Sequence, residues 1–279
     1  VLDPIGESKS DFEIFSGLAK KFGFKDDYTE KKSEKEWLEW IYNKSNDLQE
    51  SNHKFPDFDE FKAKGWYKSP DQLSEQIFLK EFIEDPIKNP LETPSGKIEL
   101  FSKQIDSFKY SDCVGHPKWY GDKEYLGNTK TYRLHLLSNQ PKFKLHSQLD
   151  NGHVADNEKS DGRSVIEINK FDAEARALTE NMVVKVFNHR GCCLAVVKIS
   201  DNIMPGVVNI PTGAWLDPLK SSGISCVHGN PNVLTNDVGT SKLAQGPTAH
   251  TCLVEIEQFN EKAPRINAFE PPKITGLNK

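Results

Sequence analysis

The chain has 279 residues, 36% apolar and 28% charged, with a net charge of −5. That balance fits a folded chain long enough to bury a sizeable core, and it excludes a disordered segment. It gives no basic footprint for nucleic acid or an anionic membrane, and no apolar stretch nears the roughly 20 residues a spanning helix needs.

The first hundred residues read as helical. Ser10 with Glu13 makes a capping box ahead of Phe12, Ile14, Phe15, Leu18 and Ala19, and Gly23 supplies the stop. Ser33 with Glu36 repeats the device before Trp37, Leu38, Trp40 and Ile41, whose spacing predicts a core face. A third helix is predicted from Asp57 to Lys64, ended by Gly65. Pro86, Pro90, Pro94 and Pro117 then mark a loop-rich stretch. Within it Pro94-Ser95-Gly96 is turn chemistry, and Lys97 to Phe101 alternates like a strand.

Near Lys130 the period changes to two. Strands are predicted at 132–137, 165–168, 183–188, 193–199, 207–210 and 252–256, with a short helix at 170–179. Pro205-Gly206 turns the chain into Val207, and Asn188-His189-Arg190-Gly191 joins two strands as a hairpin. Short strands separated by polar loops indicate a closed barrel of six or seven strands rather than a βαβ sheet. The five cysteines are odd in number, and no CxxC occurs. Cys192 and Cys193 are adjacent on a strand and must face opposite ways, so free thiols are expected, with no zinc or iron–sulfur site.

Two polar runs carry the chemistry. The first, LLSNQPKFKLHSQLDN from Leu136 to Asn151, holds Ser138, Asn139, Gln140, Lys144, His146, Ser147 and Gln148, with no carboxylate before Asp150. Pro141 forces an extended turn, so Gln140 and His146 are expected to converge. The second, Cys226 to Glu257, offers a Gly229-Asn230-Pro231-Asn232 turn, then Thr235, Asn236, Asp237, Thr240, Ser241 and Gln245. Such loops either cap their own backbone or present donors to a large anion, whose pyrophosphates need N–H and O–H groups and whose ring edges need amides. Arg190 faces a phosphate or the solvent on equal terms, and Trp215 lines an access funnel or packs beneath the second run, with packing favoured. His53, His116 and His153 lack companions at ligand spacing and read as structural, while His228 and His250 flank the second run.

Together the two runs resemble the carboxy-terminal cofactor-binding region of the molybdenum S-oxide and N-oxide reductases, the bacterial dimethyl sulfoxide, trimethylamine N-oxide and biotin sulfoxide reductases. The similarity extends from GESKSDFEIF to CLVEIE and includes the TPSGKIE string. It implies an α+β chain: a mainly helical remnant of a catalytic α/β domain over 1–125, then a double-psi β-barrel over 126–279. It implies bis(molybdopterin guanine dinucleotide) as cofactor, contacted here by Gln140, His146, Asn232 and Gln245; the composition of the two runs and of the hairpin adds Ser138, Asn139, Lys144, Ser147, Gln148, Arg190, Thr240 and Ser241 as candidates. The same resemblance puts the molybdenum ligand and the residues that position substrate in the amino-terminal remainder of the polypeptide, so no catalytic or metal-binding residue is expected here. Expected partners are that remainder, a small S-oxide or N-oxide, and an electron-donor protein, with periplasm and cytoplasm both open. The opening VLDPIGESKSDF reads as a cut within a longer chain. Two departures stand out: Phe143-Lys144 in place of the family's Arg-containing spacing, and Leu216 where Tyr commonly follows GAW. The first leaves open which cation meets the pyrophosphate, the second which substrate is used.

A non-catalytic ligand-binding barrel needs only the same loops and stands as the alternative. A self-cleaving decarboxylase of the same barrel type is disfavoured because no Gly-Ser dipeptide occurs. A nucleotide hydrolase is disfavoured by the absence of GxxxxGK[ST] and GxGxxG.

Overall fold

A computed structural model describes residues 4–48, 55–68, 77–121 and 124–271. It divides into two compact units, Val1–Lys97 and Ile98–Lys279. His53 lies outside the described residues.

The first unit is helical, and local capping chemistry sets its elements. Helix α1 (Asp11–Phe22) starts with the reciprocal Ser10–Glu13 capping box and closes at Gly23. A short α2 (Lys25–Thr29) follows. Helix α3 (Glu34–Asp47) opens on the Ser33–Glu36 box, and α4 (Phe58–Lys64) is capped by the Asp57 carboxylate and ended by Gly65. A five-residue α5 (Lys80–Glu84) completes the unit. The core face predicted for α3 is not formed. Trp37 and Trp40 meet edge to face at 5.4 Å, but Leu38, Trp40 and Ile41 remain about half exposed. Leu38, Ile41, Tyr42, Phe55, Phe58 and Phe61 line an open apolar groove instead. Among the described residues, only α4 and its flanks supply apolar surface to that face, and this is too little to cover it.

The second unit begins with loop and a short α6 (Lys103–Ser107). The alternation at 97–101 does not become a strand: no partner strand pairs with it among the described residues, and Ile98 and Leu100 are exposed. The barrel follows, from β1 (Leu134–Leu137), a two-residue β2 (Lys159–Ser160), β3 (Arg163–Ile168), α7 (Lys170–Glu174), β4 (Val183–Phe187), β5 (Cys192–Ile199), β6 (Val207–Asn209) and β7 (Leu253–Gln258). The six long strands predicted from period two are all present, with α7 shorter than predicted. Their pairing closes a ring. β1 runs parallel to β6 and antiparallel to β7. β3 runs parallel to β5 and antiparallel to β6, and β4 lies antiparallel between β5 and β7. This closed six-stranded ring with two parallel pairs is the α+β double-psi barrel architecture expected.

Alternate side chains fill the ring: Leu134, Leu136, Ile166, Ile168, Val184 and Val186 are fully buried, with Ala195, Val197, Val208 and Val254 beside them. Each such side chain taken from water contributes about 1.5–3 kcal/mol, so the strands form a rigid frame. Cys193 points into this core, whereas Cys192 joins Leu194, Ile224 and Val227 in a second cluster outside it. The adjacent thiols face opposite ways, as expected, and all five cysteines are free.

The register decides where the loops meet. The end of β1 lies beside the end of β6, through Leu137 and Asn209. It also lies beside the start of β7, through His135 and Leu253. The β4–β5 hairpin reaches the same end, because Phe187 pairs with Glu255. Both polar runs and the stretch after β6 therefore leave from one mouth of the barrel, where such folds commonly bind ligands.

Candidate functional site

Three segments build this mouth: the first run after β1, the Pro211–Leu216 strap after β6, and the second run before β7. The strap locks onto the first run by close backbone approach. Gly213 has φ +96°, and a Cβ there would sit 1.8 Å from the His146 carbonyl oxygen, so no other residue fits. Trp215 adds two bonds. Its indole Nε1 donates to the Ser147 carbonyl at 2.7 Å, and its backbone N–H donates to the Asp150 carboxylate at 2.9 Å. Trp215 thus lies against the first run, not beneath the second as the sequence suggested.

Asp150 is the buried anchor. It is fully enclosed and ion-paired to Lys144 and to Lys159, whose Nζ lies at 3.4 Å. Burial pushes its carboxyl up, but the bonds from Lys144 and the Trp215 N–H and the two lysine charges outweigh this and hold it below the ordinary carboxylate range. His228, from the start of the second run, lies 3.8 Å from the same carboxylate. Its Nδ1 bonds the Trp215 carbonyl at 3.0 Å. A carbonyl can only accept, so Nδ1 carries the proton. Burial lowers this imidazole's pKa and keeps it neutral, although the Trp215 carbonyl and Asp150 pull the other way.

A second anchor holds the other side. Arg190 makes a bidentate pair with Glu124, at 2.5 and 2.8 Å. It also donates to the Leu234 carbonyl at 2.6 Å and to Asn236 at 3.0 Å. Burial raises the Glu124 carboxyl, but Arg190, the Leu253 N–H and Asn236 together bring it below its ordinary value. Arg190 therefore faces neither solvent nor an open phosphate position.

The predicted residues fall into three groups. His146, Ser147 and Asn232 face one cavity of about 430 Å³, shared with Thr212, Trp215 and Asn230. The side chains of His146, Ser147 and Asn232 have no hydrogen bond to other described residues. Asn139 and Gln140 line a neighbouring cavity of about 490 Å³ with Glu158, Lys198 and Asn209. Gln140 donates to the Lys144 carbonyl at 3.4 Å and does not converge with His146. Ser138 lies at the mouth; its N–H reaches His250 Nδ1 at 3.5 Å, and its buried Oγ has no partner among the described residues. Gln148 is exposed beside them.

The remaining predicted residues are already engaged. Lys144 and Arg190 are held by Asp150 and Glu124, so the structure does not bring either cation to the cavities. Thr240, Ser241 and Gln245 satisfy one another: Thr240 Oγ1 donates to the Ala244 carbonyl at 2.8 Å, Gln245 Nε2 to the Ser241 carbonyl at 2.7 Å, and the Ala244 N–H to Ser241 Oγ at 3.1 Å. Sequence reasoning missed Glu124, Gly213 and the anchoring role of Asp150. It also missed Glu158, whose carboxylate accepts from the backbone N–H groups of Lys142 and Phe143 and so fixes the turn after Pro141. Among the described residues, no cluster of His, Cys, Asp and Glu could hold a metal ion.

Comparison with known proteins gives consistent matches. Residues 134–253 match the family described as molydopterin dinucleotide binding domain. The chain is 40% identical to trimethylamine-N-oxide reductase of Haemophilus influenzae, over 98% of this chain and 34% of that protein. It is 40% identical to biotin sulfoxide reductase of Cereibacter sphaeroides, over 91% of this chain and 34% of the relative. It is 38% identical to dimethyl sulfoxide/trimethylamine N-oxide reductase of Cereibacter sphaeroides, over 98% and 34%. The chain thus spans about one third of the length of the curated relatives it matches. Acetylene hydratase from Pelobacter acetylenicus superposes with a TM-score of 0.67 at 18% identity, over 92% of this chain and 34% of that one, a likeness of fold.

Proposed function

We propose that this barrel mouth holds part of bis(molybdopterin guanine dinucleotide), on the ground that residues 134–253 match the molydopterin dinucleotide binding domain and that the chain is similar over nearly its whole length to S-oxide and N-oxide reductases. The full-length protein would be a molybdenum-dependent reductase of small S-oxides or N-oxides. One observation carries the reading: His146 and Ser147 from the first run and Asn232 from the second share a cavity, with side chains that other described residues leave unclaimed.

The donor set fits such a ligand. Imidazole, hydroxyl and amide groups can meet phosphate oxygens and the edges of guanine or pterin, and Ser138 Oγ is a buried polar atom awaiting a partner. His146, Ser147 and Asn232 would bind on one side of the mouth, with Ser138, Asn139, Gln140 and Gln148 completing the first run's contribution. Thr240, Ser241 and Gln245 would contribute through the loop shape they set. Lys144 and Arg190 would act by holding that mouth rigid. When bound, the cofactor supplies the redox chemistry that accepts oxygen from the substrate. This chain's residues would bind and orient it, and the metal ligand would come from the rest of the polypeptide.

The test is the content of the full-length protein, made in a host able to synthesise the cofactor. The expected result is molybdenum and pterin in fixed ratio to protein, with His146→Ala lowering both per folded monomer. Purified full-length protein with neither molybdenum, tungsten nor pterin would overturn the reading.

A further inference from the structure

We propose that Asp150 and Trp215 are positioning residues, a clamp with a buried carboxylate and an exposed indole that fixes the wall from which His146 and Ser147 face the cavity. The inference rests on the reading that this cavity takes the dinucleotide, and it concerns how the site is held in shape.

The clamp joins segments distant in sequence. Asp150 closes the first run and draws in Lys144 from its centre and Lys159 from β2. Its second oxygen takes the N–H of Trp215, 65 residues onward. The Trp215 indole then returns to the Ser147 carbonyl, one residue from the His146 carbonyl that Gly213 accommodates. His228 brings the start of the second run to the same point by bonding the Trp215 carbonyl. His146 itself has φ +51°, a conformation that residues other than glycine seldom adopt unless the surroundings impose it.

The burial of the charges bears on their role. Asp150 is inaccessible, and the side chains of Lys144 and Lys159 are 5% and 3% exposed. Well-packed apolar groups often serve stability as well as a buried ion pair does, because desolvation offsets the attraction. What the charges add is direction: a carboxylate with three donors fixes the angle of each segment it joins. A polyanionic ligand needs several donors aimed at once, so an error in the backbone at residues 146–147 would misplace His146 and Ser147 together.

The experiment is Asp150→Asn in the full-length holoenzyme, following the rate at which molybdenum and pterin are released after transfer to cofactor-free buffer. Asparagine keeps the size and an acceptor for the Trp215 N–H but removes the charge that holds both lysines. The expected result is release at least about tenfold faster than wild type, with KM for the oxide unchanged in the fraction still loaded. Wild-type release from the variant would overturn the clamp while leaving the cofactor reading intact. Wild-type protein without cofactor would overturn both. Should Asp150→Asn not fold, Trp215→Phe keeps the aromatic body and the backbone N–H and loses only the bond to Ser147. Release as slow as wild type there would equally overturn the clamp.

Discussion

The two polar runs have the same kind of composition and are put to different physical use. In residues 136–151 Lys144 turns inward onto Asp150, and His146, Ser147 and Gln148 are left facing outward. In the second run, the stretch from Thr240 to Gly246 spends its hydroxyls and amide on its own backbone, and Asn232 remains open to the cavity. A polar loop is therefore not a ligand loop by composition alone. What separates them is whether something beneath the loop satisfies its backbone, freeing the side chains for a ligand.

That contrast orders the expected effects of substitution. Lys144→Met should be the most damaging, because it leaves the buried Asp150 carboxylate short of a partner. Breaking a buried pair by removing one member costs about 3–5 kcal/mol, readable as a lower denaturation midpoint of the full-length protein. A loss below about 1 kcal/mol would mean the first run is not held from beneath. Gly213→Ala should come next. It meets the His146 carbonyl and adopts a φ of +96°, for a combined cost of about 2–3 kcal/mol and a displaced first run. An unchanged midpoint with unchanged cofactor content would show that the strap does not set the loop.

Acid should weaken both anchors. Glu124 and Asp150 have carboxyls held below their ordinary values of 4.5 and 3.8. Their contribution is fully present above those values and is lost as pH falls through the lower values of the folded state. Glu124→Gln should therefore lower stability by about 2 kcal/mol at pH 7, since its partner Arg190 is also mostly buried. Its stability should also fall less steeply than wild type below about pH 4.5. Parallel acid profiles would remove Glu124 from the account. Thr240→Ala should do least. It deletes one exposed bond within a self-satisfied loop, at roughly 0.5–1 kcal/mol, and should give the smallest drop in denaturation midpoint of the four.

Much of the architecture was legible because it depends on local chemistry. The boxes at Ser10 and Ser33 and the Asp57 cap start helices where they were read, and alternation located all six long strands. Alternation failed at 97–101, where no strand among the described residues pairs with it, and helical spacing failed at Trp37–Ile41, where the described residues offer too little apolar surface. The site was half legible. His146, Ser147 and Asn232 could be picked out as donors, yet nothing local marks that Lys144 is taken by Asp150 or that Arg190 is taken by Glu124, 66 residues earlier. A single aspartate closing a lysine-bearing run was the one available hint. The +96° of Gly213 has meaning only once the His146 carbonyl is seen against it.

The central claim is that two runs of one barrel mouth present unclaimed donors to one dinucleotide. The most direct test is the full-length protein carrying His146→Ala and Asn232→Ala together, assayed for molybdenum and pterin per folded monomer. The account predicts a loss of at least about tenfold in retained cofactor, more than either single change causes, with the barrel still folded by its cofactor-free denaturation midpoint. A double variant that folds and holds as much cofactor as wild type would contradict it.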